Sequence, residues 1–175
     1  ALGIAATQVA LARGARVIGT ASTADKRALA ERMGAEATVD YTADDWRGAV
    51  ERIVGRYAVD LVFDSVGGAV TETSLRLMRR DGRLLVAGFA SGEIPRIPAN
   101  LLLVKRIAAL GVYWNHDDDA AMMARVQEAI TADLAAGRIA PLVDVRTGLE
   151  ALPDAMADLG GRRSTGKLVF SLEAV

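Results

Sequence analysis

Cysteine is absent from the 175-residue sequence and histidine occurs once, which restricts the available chemistry. Without cysteine the chain forms no disulfide and carries no thiolate nucleophile. The single histidine, His116, stands before an acidic run that is better explained as the start of a helix than as a set of metal ligands. The sequence therefore predicts no metal site.

Long apolar runs and a charge excess are also missing. No apolar stretch reaches the roughly 18 residues of a membrane span. The formal net charge of −1 supplies no field for nucleic acid or an anionic membrane. The first residues have no basic signal-peptide segment, so we expect a cytoplasmic protein. Because the chain starts at Ala1 without an initiating Met, we also expect it to derive from a longer polypeptide.

Three apolar runs, at 15–22, 59–68 and 82–92, each stop at a cluster of small residues. Each is typical of a strand buried on both faces, and helical patterns lie between them. This alternation predicts a doubly wound α/β unit with a parallel sheet. Ligands of such sheets bind at the carboxyl ends of the strands, so the small residues predict a nucleotide site.

The alternation of strands and helices breaks near residue 115. Residues 1–114 form the predicted nucleotide-binding unit. Residues 115–175 form a smaller appendage that is too short to bury a core unaided.

The end of the first strand indicates which cofactor binds. A site for NAD has an acidic residue here, whereas this chain has hydroxyls from Thr20 to Thr23, followed by Lys26. Hydroxyls and an ammonium would bind a 2′-phosphate, and Tyr41, at the next strand end, could contact adenine or phosphate. This favours NADP(H). The alternative is that Ser22 is only a helix cap and Lys26 a solvated residue.

The other two strand ends carry glycines. The pair after Ser65 and Val66 would let the backbone approach a ligand, or would form an ordinary strand-to-helix turn. Asp64 is better explained as a residue that caps this turn than as a buried acid. The segment 88–92 would line the same groove or form a flexible loop. Arg162 and Arg163 are either a solvated turn or a contact to phosphate.

Together these segments resemble the medium-chain dehydrogenase/reductase superfamily, and within it the NADPH-dependent quinone oxidoreductase group. The likeness covers nearly the whole chain, and its order and spacing are more specific than any single glycine motif. It is carried by Gly3–Ala10, Gly14–Thr20, Asp64–Gly68, Gly88–Pro95, Gly111–Trp114 and Thr165–Lys167.

The resemblance implies a role for each candidate residue. Ser22, Lys26 and Tyr41 would surround the 2′-phosphate, and Arg162 would reach it from the other lobe. The remaining candidates would lie along the pyrophosphate, nicotinamide and groove, namely Gly3, Ser65, Val66, Gly88, Phe89, Ala90, Tyr113 and Trp114.

The implied activity is zinc-independent hydride transfer from NADPH to a quinone-like or α,β-unsaturated carbonyl acceptor. The cofactor supplies the hydride, so no catalytic acid or base is identified. Two alternatives stay open: an enoyl-thioester reductase domain, and a non-catalytic nucleotide-binding protein on the same fold.

The sequence departs from the family pattern at its start. Family members have a strand, a glycine-rich turn and a catalytic lobe before the position of Gly3. We therefore expect a Rossmann-type sheet without its first strand, with residues 115–175 returning to the missing GroES-like catalytic lobe. This chain would be the cofactor-binding part, inactive alone, with exposed neighbours of the absent strand. The resemblance also implies a homodimer across Ile107–Trp114.

Overall fold

A computed structural model of the protein describes residues 2–161 and 163–172. Helices and strands alternate through most of this part of the chain, as the sequence predicts. In chain order they are α1 (Leu2–Ala12), β1 (Ile18–Thr20), α2 (Ala24–Arg32), β2 (Ala37–Val39), α3 (Trp46–Val54), β3 (Val59–Asp64), α4 (Gly68–Leu77), β4 (Met78–Val86), α5 (Ala99–Lys105), β5 (Ala108–Gly111), α6 (His116–Ala135), β6 (Val143–Thr147), α7 (Leu152–Gly160) and β7 (Lys167–Ser171).

Every strand pair in the described residues is parallel. β1 pairs with β2, β3 pairs with β4, β4 pairs with β5, and β6 pairs with β7. The predicted α/β fold with a parallel sheet is confirmed. Within the described part of the chain, β1 and β3 belong to separate sheets and form no ladder with each other.

Local side-chain chemistry sets the helix starts. Asp45 caps α3, accepting a hydrogen bond from the backbone N–H of Gly48 at 3.1 Å. At α2 the cap is Thr23, whose hydroxyl accepts from the N–H of Lys26 at 3.4 Å. The interpretation of Ser22 as the helix cap is therefore wrong, because α2 starts one residue later than that interpretation requires.

Two apolar clusters form the core of residues 1–114. One joins β2, α3 and the end of α4 through Val39, Trp46, Val50 and Leu77. The other joins α4, β4 and the entry to β5 through Leu75, Met78, Leu84 and Ile107. Full burial of one such side chain stabilises the fold by about 1.5–3 kcal/mol. Both clusters pack helices against strands, which holds the strands and the turns that follow them in place.

The prediction that each strand is buried on both faces is wrong. Leu61 of β3 is 49% exposed, Thr20 at the end of β1 is exposed, and β4 alternates between buried and exposed residues from Asp81 to Leu84. β3 has a hydrogen-bonded neighbour on one side only among the described strands, and β5 is the other edge of its sheet. The strand predicted for Ile107–Trp114 is also shorter, since its ladder with β4 covers Ala108–Gly111.

The C-terminal appendage packs back on the first helix. Arg13, just after α1, forms a 2.8 Å ion pair with the buried carboxylate of Asp133 on α6, which also pairs with Arg138 at 2.7 Å. The side chain of Gln8 donates to the carbonyl of Ala140 at 2.9 Å and accepts from its N–H at 2.6 Å. These bonds fix the end of α6 against α1. A membrane-crossing helix is not found in the described residues.

Candidate functional site

A cleft of about 540 Å³ opens beside the carboxyl end of β1. One wall is the start of α2, with Ser22, Lys26 and its neighbours, and the other is the segment between α7 and β7. The cleft therefore brings together two parts of the chain more than 130 residues apart. Its lining residues are Ser22, Thr23, Asp25, Lys26, Gly161, Arg163 and Thr165.

Arg163 is the basic residue that the structure describes on the far wall of this cleft. Its guanidinium donates to Asp158 Oδ1 at 3.0 Å and to the carbonyl of Ala157 at 3.1 Å. Arg162, which the resemblance assigns to the phosphate, lies outside the described residues. Its neighbour Arg163 lines the cleft, and the adjacent pair of arginines in the sequence was the signal for it.

Thr23 and Asp25, which also line the cleft, both lie at the start of α2. Asp25 lies in the first turn of α2, where a negative charge interacts favourably with the helix dipole. Because Thr23 serves as the N-cap, the cap position does not require Ser22. The donor set of hydroxyls, ammonium and guanidinium suits a phosphate group.

Tyr41 follows β2 at the same edge of its sheet as the end of β1. Its ring packs against the buried cluster of Val39, Trp46, Val50 and Leu77. The residue before it, Asp40, holds the turn: Oδ1 accepts from the N–H of Thr42 at 2.9 Å and from its hydroxyl at 2.6 Å. These hydrogen bonds from Thr42, with a further contribution from Arg27, lower the pKa of Asp40.

Asp64, the last residue of β3, caps the turn that follows, as the sequence predicts. Its buried carboxylate accepts from the N–H of Val66 at 2.7 Å, from the N–H of Gly67 at 3.1 Å and from the hydroxyl of Thr71. With its oxygens engaged in this way, Asp64 shapes the backbone of the turn.

The turn after β3 and the loop after β4 are in direct contact. Ala90 donates its N–H to the carbonyl of Ser65 at 3.0 Å, and Ser91 to that of Val66 at 2.9 Å. Gly67 has φ +82°, and a Cβ there would lie 2.6 Å from the carbonyl oxygen of Glu93. Glycine is therefore required where the two segments meet. Two of the three predicted strand ends thus form one continuous surface.

The remaining predicted residues occupy more open positions. Gly3 lies in the first turn of α1, and a Cβ there would meet nothing within 4 Å. Thr20 and Phe89 are exposed at the ends of their strands. Tyr113 and Trp114 follow β5 and are exposed, Tyr113 to 84%.

Metal ligands are not clustered in the described residues. There, no group of three or more His, Asp or Glu side chains could hold a metal ion. His116 lies 3.8 Å from the carboxylate of Asp117, and both side chains are highly exposed.

Parallel strands with glycine turns at their carboxyl ends define a Rossmann-type α/β fold. The sequence profile of the zinc-binding dehydrogenases matches residues 1–129, and the chain belongs to this family. As the resemblance predicts, it falls in the quinone oxidoreductase-like group of the medium-chain dehydrogenase/reductase superfamily.

Two curated relatives and one solved structure illustrate the relationship. Quinone oxidoreductase-like protein 2 of Bos taurus is 36% identical over 161 residues, covering 91% of this chain and 46% of that protein. Quinone oxidoreductase of Pseudomonas aeruginosa is 30% identical, covering 97% and 53%. CurA of Vibrio vulnificus, solved in complex with NADPH, is 27% identical with a TM-score of 0.83, covering 100% of this chain and 55% of that one. The chain spans about half the length of these relatives.

Proposed function

We propose that this chain is the NADP(H)-binding part of an oxidoreductase that transfers hydride from NADPH to a quinone-like or α,β-unsaturated carbonyl acceptor. The observation that carries the proposal is the cleft in which Ser22 and Lys26 face Arg163. Its hydroxyls and two cations suit a 2′-phosphate, whereas an NAD site has a carboxylate at the end of this strand. The names of the relatives, and the NADPH complex of CurA, support the same conclusion.

The residues fit such a cofactor at two places. Around the adenosine phosphate, Thr20, Ser22, Lys26 and Tyr41 supply hydroxyl and ammonium donors, and Arg162 is proposed to join them from the segment before β7. Towards the nicotinamide, the glycine turn at Gly67 keeps the backbone free of side chains. Gly3 is proposed to lie along the pyrophosphate. The residues proposed towards the nicotinamide and along the cofactor groove are Ser65, Val66, Gly88, Phe89, Ala90, Tyr113 and Trp114.

The bound cofactor would supply the hydride, so the protein groups serve mainly to bind and orient. Asp64 would do this indirectly, because it holds the N–H groups of Val66 and Gly67 in one conformation. In the same proposal, residues 1–114 are the cofactor domain and residues 115–175 belong to a catalytic lobe that determines the acceptor. The cytoplasmic location stays a prediction, which cell fractionation would test.

The variant Lys26→Ala tests the cofactor assignment in the polypeptide that contains this chain. A hydrogen bond to a charged group contributes roughly 1.5–3 kcal/mol, so the Kd for NADPH should rise about 10- to 100-fold while that for NADH stays nearly constant. Arg32→Ala is the matched control, because Arg32 is an exposed basic residue in the last turn of the same helix. Equal weakening of both cofactors in Lys26→Ala would refute the phosphate assignment.

The acceptor is tested by turnover. Steady-state assays with quinones, enones and enoyl thioesters should show NADPH oxidation with a quinone or an enone. Preference for an enoyl thioester would favour an enoyl reductase domain instead. Saturable NADPH binding without turnover would favour a non-catalytic nucleotide-binding protein.

We further propose that the protein forms a homodimer through the outer edge of β5. All of β5 is exposed, and beside it Leu103 is 78% exposed. An unpaired apolar edge strand favours pairing with a second copy, and a two-fold axis closes the contact. Leu110→Glu should convert the dimer to a monomer in sedimentation velocity, whereas Val126→Glu on α6 should not. A monomeric wild-type protein would contradict the proposal.

A further inference from the structure

We propose that the ion pair of Arg27 and Asp40 is a positioning device that sets the preference for the phosphorylated cofactor. This inference rests on the proposed function, since it concerns the same adenosine site. Neither residue belongs to the set proposed to touch the cofactor, and sequence patterns did not single out either one.

The pair joins three segments that each carry a cofactor-binding candidate. Arg27 Nη1 donates to Asp40 Oδ2 at 2.8 Å and to the carbonyl of Ala21 at 2.9 Å. Ala21 precedes Ser22, and Asp40 precedes Tyr41. Arg27 itself follows Lys26. One guanidinium therefore fixes the relative positions of the segments that carry Ser22, Lys26 and Tyr41.

A backbone bond strengthens this arrangement. The N–H of Ala21 donates to the carbonyl of Val39 at 3.1 Å, which continues the parallel pairing of β1 and β2 past their last ladder residues. The side chains of Arg27 and Asp40 are 24% and 32% exposed. The pair is thus partly shielded from water. Charge interactions between partly buried groups are stronger than those at an open surface.

Electrostatics gives the pair a second effect on the cofactor. Asp40 lies beside Tyr41, and its hydrogen bonds to Thr42 favour the ionised carboxylate. An uncompensated carboxylate beside the proposed phosphate-binding residues would repel a 2′-phosphate. The Arg27 guanidinium offsets that charge. Loss of Arg27 should therefore penalise NADPH more than NADH.

The test compares Arg27→Gln with Arg27→Lys in the polypeptide that contains this chain, with Kd for NADPH and NADH measured by fluorescence titration. Arg27→Gln, which keeps a donor but no charge, should lower the preference for NADPH about tenfold. Arg27→Lys should restore most of it. In the double variant R27Q/D40N the carboxylate charge is also gone, so part of the preference should return.

A purely structural role would move both dissociation constants by the same factor, and that result would overturn the inference. So would an unchanged preference in Arg27→Gln. If Lys26→Ala shifts the preference while Arg27→Gln does not, this inference alone fails. If the wild-type protein has no preference for NADPH, the proposed function fails with it. Should Arg27→Gln not fold, as judged by near-ultraviolet circular dichroism, D40N alone decides. Loss of the carboxylate leaves the Arg27 charge uncompensated, so D40N should raise the preference for NADPH, and an unchanged or lowered preference overturns the inference.

Discussion

The hydroxyl of Thr71, on the first turns of α4, donates a hydrogen bond to the carboxylate of Asp64 at the end of β3. Both residues are buried, and the same carboxylate accepts two backbone N–H groups of the intervening turn. One side chain therefore determines the conformation of the strand-to-helix turn that the proposed nicotinamide site uses.

Replacement of Asp64 should destabilise this turn. Asp64→Ala leaves a buried hydroxyl and two N–H groups without their acceptor, and each unsatisfied group costs about 1–3 kcal/mol. We expect the free energy of unfolding in urea to fall by at least that amount. Ser74→Ala is the control, since its hydroxyl donates to the carbonyl of Val70 one turn earlier in the same helix. Similar losses in the two variants would argue against a special role for Asp64.

The substitution Gly67→Ala should be more harmful than Gly92→Ala. Both glycines have positive φ, +82° and +86°, so both variants incur backbone strain, and Gly67, with ψ −168°, lies in a region that is essentially restricted to glycine. A Cβ at Gly92 meets nothing within 4 Å, whereas one at Gly67 would meet the backbone of Glu93 at 2.6 Å. The additional loss in Gly67→Ala therefore combines this close approach with the cost of the backbone conformation. Calorimetric Tm values and the Kd for NADPH would check it, and equal Tm losses would contradict the geometry.

Leu84, on β4, should contribute strongly to the free energy of unfolding of the protein. It is fully buried in the cluster with Leu75, Met78 and Ile107. Leu84→Ala should lower the free energy of unfolding by about 2–5 kcal/mol through lost burial and the cavity left behind. Ile94→Ala, at a side chain that is 77% exposed, should change it by no more than about 0.5 kcal/mol.

Acid should weaken the attachment of α6 to α1. The hydrogen bond from Arg138, and next that from Arg13, lower the pKa of Asp133 below its ordinary value. A carboxyl with a lowered folded-state pKa stabilises the protein above its unfolded pKa, about 3.9. That stabilisation disappears as the pH falls through the lower folded-state pKa.

The variant Asp133→Asn tests whether the stabilisation by Asp133 depends on pH. The difference in unfolding free energy between wild type and variant should be constant above about pH 5 and should shrink as the pH falls below about 4. Chemical denaturation at several pH values measures it. A difference that is independent of pH would mean that Asp133 acts through packing alone.

Much of the fold follows from local patterns. Apolar runs with small residues at their ends predict β1, β3 and β4, because this signal depends on residues close in sequence. β5 is shorter than the strand predicted for Ile107–Trp114, since its ladder with β4 ends at Gly111 and is continued by one bond from the N–H of Val112 to the carbonyl of Val86. Where a ladder ends depends on its partner strand.

The candidate site likewise contains residues that the sequence predicts and contacts that depend on the tertiary structure. Ser22, Lys26 and Tyr41 are predictable because strand ends and hydroxyl or basic residues are visible in the sequence. Arg163 is also visible as one of two candidate arginines, but its place across the cleft from Lys26 is not, and neither is the bond of Arg27 to Asp40.

The sequence by itself determined the alternation of strands and helices, the glycine turns and the chemical character of the strand ends, because each rests on residues within about one turn or strand of one another. Only the tertiary structure decided which side chains share the cleft and which carboxylate Arg27 neutralises. Those pairings depend on how segments that are distant in sequence pack together. That packing is set by the two apolar clusters, which join residues from several helices and strands, rather than by any local pattern.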